Sequence, residues 1–115
     1  MSAPQSQALS AIAFQLAATL EAYDEAVVAM LAAPLDPDLY RRVSAQIDQM
    51  RMYAAALPTL SGAWVEVLIR HFELTHGLWR AQREPEAVAL QELHAQLRDS
   101  VQRLSKRCFQ LMPAA

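Results

Sequence analysis

Two of the three histidines in this 115-residue chain, His71 and His76, and its one cysteine, Cys108, are the side chains best suited to chemistry. Glu73-Leu74-Thr75-His76 is a Glu-x-x-His, the spacing that sets a carboxylate and an imidazole on one helix face. Dinuclear carboxylate bundles use two such motifs and two further inward glutamates. Here the motif occurs once, and the apolar seams of the other segments offer no Asp or Glu to complete a ligand set. His71 falls near the middle of an apolar arc, where a buried imidazole needs a hydrogen-bond partner for each nitrogen it keeps dry. Thr75, one turn on, or a residue of another helix is expected to supply it, so His71 and Thr75 are the candidate buried polar residues. Cys108 takes the place of a leucine in its seam. It reads as a small hydrophobe, because Lys106 and Arg107 point elsewhere on a helix. Ser61-Gly62-Ala63 lacks the glycine two residues before the serine that a nucleophile elbow needs. No catalytic, cofactor-binding or metal-binding residue is assigned, and no cofactor is expected.

His76 followed by Gly77 invites comparison with histidine phosphotransfer domains, small helical bundles that expose a histidine with a basic and a small residue one turn on. Three and four positions after His76 stand Trp79 and Arg80; after His71 stand Leu74 and Thr75. Neither set fits. A phosphotransfer-like or other small helical enzyme using His71 or His76 is kept as an alternative function.

The elements that would position these residues are helical. Prolines at 34, 37, 58 and 85 divide the chain into four segments rich in Ala, Leu, Gln, Glu and Arg, the good helix formers. The expected helices are about 6–33, 37–57, 60–82 and 85–111. Asp36-Pro37-Asp38 is a strong start for the second, and Thr59 or Ser61 is the candidate cap of the third. Pro85 permits a turn or a kink. Leu9, Ile12, Leu16, Leu20, Tyr23, Val27 and Met30 recur at spacings of three and four, and the second and fourth segments carry similar seams. Matching seams and short connections predict a single all-α domain, an antiparallel four-helix bundle running up-down-up-down. Its helices could pack within one chain or be exchanged across a homodimer.

The third helix differs from the rest. Glu66, Arg70, Glu73, Gly77 and Arg80 form a narrow polar stripe, and roughly 220° of the circumference is apolar at 100° per residue. That arc is wider than a bundle helix needs, so Trp64, Val65, Ile69, Phe72 and Trp79 are the candidate interface residues. A second copy related by a two-fold axis is the expected covering. An unidentified protein partner is the other one.

Composition narrows the function classes. More than half the chain is apolar (54%), which excludes a disordered segment. The charge of −2 argues against nucleic-acid binding by bulk charge, and two glycines leave no phosphate-cradling loop. One cysteine excludes a disulfide framework. Residues 1–40 carry five acids and no Lys or Arg, so no signal or transit peptide is expected, and no apolar run is long enough for a membrane span. The expectation is a cytoplasmic, non-enzymatic helical interaction module that self-associates through the third helix. The other alternative is a chaperone-like protein that binds a peptide or small ligand.

Overall fold

A computed structural model describes residues 3–112. It is an all-α, antiparallel four-helix bundle measuring 54 × 23 × 23 Å. Its helices are α1 (Ala3–Ala32), α2 (Pro37–Ala55), α3 (Ser61–Ala81) and α4 (Leu90–Gln110), with single 3₁₀ turns at Pro58–Leu60 and Pro85–Ala87. The hairpin pairs α1/α2 and α3/α4 pack most extensively, α1/α4 less so, and α2/α3 least. The bundle therefore has a tight side and a looser one.

Local chemistry explains where the helices start. Asp36 caps α2: its Oδ1 accepts a hydrogen bond from the Asp38 backbone N–H at 2.9 Å, and Pro37 occupies the first helical position. Neither Thr59 nor Ser61 caps α3. Its N-cap position is Leu60, without a side-chain cap, because the 3₁₀ turn runs straight into the helix. The fourth helix begins at Leu90 and not at Pro85 as expected. Pro85 instead opens the 3₁₀ turn, and Val88 is extended, so the chain reverses and α4 folds back along α3 within the same chain.

The core is built from the expected seams. Leu16, Leu20, Tyr23, Val27 and Met30 of α1 meet Val43, Ile47 and Met50 of α2, together with Val67, Leu74 and Leu78 of α3 and Leu97, Leu104 and Cys108 of α4 in one cluster. Trp64 belongs to this core at 7% exposure and is not part of an outer face, which corrects its expected interface role. Its ring lies on the inward side of α3, in register with Val67 and His71.

The polar stripe of α3 is not a solvent face either. Arg70 pairs with Glu66 at 2.9 Å and reaches Gln96 of α4 at 3.3 Å. Gly77 is pressed against α4: a Cβ there would lie 2.6 Å from Leu93 Cδ1. Glu73 and Arg80 stay at the exposed rim of this contact. Because α3 turns its polar, glycine-containing stripe toward α4, its apolar flank is what faces outward.

Candidate functional site

A buried polar pair joins α1 and α3 across the core. The Tyr23 hydroxyl of α1 lies 2.8 Å from His71 Nδ1 of α3, and both side chains are buried. Burial holds the His71 imidazole down to about 4, so the ring is neutral at pH 7. Burial, and secondarily the Asp24 carboxylate, pushes the Tyr23 phenol up, so it keeps its proton. Two neutral groups thus satisfy each other in an apolar setting. His71 bonds another helix and not Thr75. Thr75 is only half-buried, and its hydroxyl donates to the Phe72 carbonyl at 3.3 Å.

His94 was not singled out by the sequence reading. It is half-buried on α4, and its Nε2 is a buried atom without a hydrogen-bond partner among the described residues. Burial and the Arg98 cation lower its pKa, and the Asp24 carboxylate opposes them. Arg98 Nε lies 3.7 Å from Asp24 Oδ1, tying α4 to α1 at this level. The signal in the sequence was the position itself, next to the Leu90–Leu93–Leu97 seam.

The remaining candidates are less suited to chemistry. His76 is exposed beside Glu73, Arg80 and Glu92 in an open groove of about 330 Å³. Among the described residues, no group of three His, Cys, Asp or Glu is arranged to hold a metal ion. Cys108 is fully buried, and burial pushes its thiol up to about 11, where the reactive thiolate is scarce at neutral pH. Arg103, Lys106 and Arg107 line a groove of about 490 Å³ where the end of α4 meets the start of α3. Two of these cations are already engaged: Arg103 pairs with Asp99 at 3.0 Å, and Arg107 donates to the Thr59 carbonyl at 2.9 Å.

The outer surface carries apolar features as well. On α3, Val65, Ile69, Phe72 and Trp79 are 47%, 48%, 55% and 56% exposed. With His76 they run at spacings of four, three, four and three, a seam of heptad type on the side opposite the core. The His76 ring lies 6.3 Å from the Trp79 ring, and the Arg83 guanidinium sits 5.1 Å over that indole. A second apolar area lies between α1 and α4, where exposed Phe14 and Phe109 flank a groove of about 370 Å³, and Phe14 also lines an adjoining groove of about 930 Å³ with Leu111 and Met112. No helix is long and apolar enough to cross a membrane among the described residues.

Comparison with models of known families, with curated proteins and with solved structures finds no match to this chain.

Proposed function

We propose that this chain is a small helical interaction module that self-associates through the outer seam of α3, acting by binding and not by catalysis. The observation that carries the reading is the exposure of four large apolar side chains at heptad positions of one helix, with His76 at the position between Phe72 and Trp79. Each is about half exposed, so together they present on the order of 400 Å² of apolar surface, as large as the patches that monomers reserve for function. That is about half of the ~800 Å² per partner of a standard interface, so flanking residues of α3 and its neighbours would have to supply the rest. The α1/α4 surface draws its apolar groups, Phe14, Phe109, Leu111 and Met112, from two helices and not from one seam, which is why α3 is taken as the candidate.

The buried groups support a non-catalytic reading. His71 is spent on Tyr23, and the Cys108 thiol is enclosed. His76 is accessible, but its next turn carries Trp79 and Arg80, which would crowd an approaching partner domain.

The test compares the wild type with Phe72→Asp and Trp79→Ala by light scattering after gel filtration, with circular dichroism and urea unfolding in parallel. The expected result is a dimer for the wild type and weaker association for both variants, with helicity retained. Unchanged association with a lowered urea midpoint would make these side chains core residues and remove the proposal.

A further inference from the structure

Positive charge gathers around the groove of about 490 Å³ where the last turns of α4 meet the start of α3. Arg103, Lys106 and Arg107 line it against a single carboxylate, Glu66, and that carboxylate is held by Arg70 at 2.9 Å. Lys106 has no ion-pair or hydrogen-bond partner among the described residues. The pair of Arg103 with Asp99 is exposed on both sides, so it contributes little and can be exchanged for another anion. Arg107 is fixed by the Thr59 carbonyl through Nη2 and keeps its other N–H donors. Basic residues near a helix C-terminus suit its dipole, which accounts for Arg107 in the last turn but not for three cations around a cavity shared with another helix. We infer that this groove binds the phosphate group of a small organic phosphate, at a site separate from the outer seam of α3 and independent of self-association.

Charge and volume together select the ligand. Three cations against one carboxylate leave a surplus of two positive charges on the groove wall. A phosphate monoester brings about −2 at pH 7 and three acceptor oxygens, whereas a single carboxylate or sulfate ester would leave one cation uncompensated. That surplus carries the inference, and the start of α3 adds to it. Gly62 lies in the wall, and nothing stands within 4 Å of a Cβ built there, so an oxygen can come close to the backbone. The volume exceeds that of a bare phosphate ion and falls within the range of small-molecule sites. An organic group therefore has room against Ala63 and the aliphatic stems of Arg103 and Lys106. A nucleic-acid backbone would need a longer track, because the three cations span little more than one helical turn. The groove is open to solvent, so the ligand exchanges and a desalted chain is bare.

The test titrates the isotope-labelled chain with phenyl phosphate, phenyl sulfate and inorganic phosphate at constant ionic strength, following backbone amide signals by NMR. Phenyl phosphate should shift the signals of Gly62, Ala63 and Lys106 to saturation and bind more tightly than either of the other two. Lys106→Gln and Arg103→Gln should each weaken it by about tenfold, the size of one charge-assisted hydrogen bond. Arg41→Gln, on an exposed face of α2, should leave binding unchanged. Arg103 and Lys106 are exposed, so both variants should fold, which circular dichroism checks. Shifts that never saturate, or that survive both Lys106→Gln and Arg103→Gln, would overturn the site, since phosphate would then act as bulk salt. Equal binding of phenyl phosphate and inorganic phosphate would overturn the organic ligand, and equal binding of phenyl phosphate and phenyl sulfate would overturn the match of charge. Each of these outcomes leaves the reading of α3 as a self-associating surface to its own test.

Discussion

Tyr23 and His71 are each costly to bury alone and tolerable together. Tyr23→Phe leaves the His71 nitrogen without its partner, so it should lower stability by about 1–3 kcal/mol in urea unfolding. Replacing both, as Tyr23→Phe with His71→Leu, should cost less than the two single changes added together; strict additivity would mean that the 2.8 Å contact contributes nothing. A pH dependence follows from the same pair. His71 titrates near 6.5 when unfolded and at about 4 when folded. The fold therefore holds the neutral ring, and its contribution is complete above pH 6.5 and lost as pH falls through about 4. The loss amounts to up to ~3 kcal/mol. Half-buried His94 acts in the same direction. Unfolding midpoints compared between pH 7 and pH 4 should fall for the wild type and fall less for the double variant; an equal fall in both would place the effect elsewhere. The burial of His71 was legible from its place on the apolar arc. Its partner was not, because the spacing of a helix tells which face a residue occupies but not which residue of a distant helix stands opposite.

At the scale of elements, the two glycines of α3 separate helix propensity from packing. Nothing lies within 4 Å of a Cβ built at Gly62, so Gly62→Ala should stabilise the protein by about 0.5 kcal/mol through propensity alone. At Gly77 a Cβ meets Leu93 Cδ1 at 2.6 Å and Val88 Cγ1 at 3.3 Å. The Leu93 methyl can swing away, so Gly77→Ala should change stability by less than ~1 kcal/mol, with the propensity gain and the crowding nearly cancelling. Gly77→Leu should push α4 outward and destabilise by more than that. Equal gains at both positions in thermal unfolding would mean that α4 does not approach as closely as the structure has it. The number of helices and their order were legible from proline punctuation and seam spacing. The start of α4 was not, since Pro85 is as compatible with a helix's first turn as with the 3₁₀ turn it forms. The orientation of α3 also escaped the sequence. A polar stripe ordinarily faces water, but here Gly77 and the Arg70–Glu66 pair with Gln96 make it the side that accepts α4.

For the whole molecule, that rotation of α3 decides what is left outside. It buries Trp64 and leaves Val65, Ile69, Phe72 and Trp79 about half exposed. The sequence showed an apolar arc too wide for one bundle, but not which part of it the core would take. Trp64 and Phe72 should therefore respond in opposite ways. Trp64→Ala empties core volume and should cost about 3–5 kcal/mol in urea unfolding, whereas Phe72→Asp should leave monomer stability nearly unchanged and act on association. The most direct measurement of the central claim is native mass spectrometry of the purified chain over a series of concentrations. The account predicts two bare chains at the higher concentrations, giving way to one on dilution, and a single chain throughout for Phe72→Asp. A wild-type chain that stays single at every concentration, or one that carries a different molecule in place of a second copy, would contradict it.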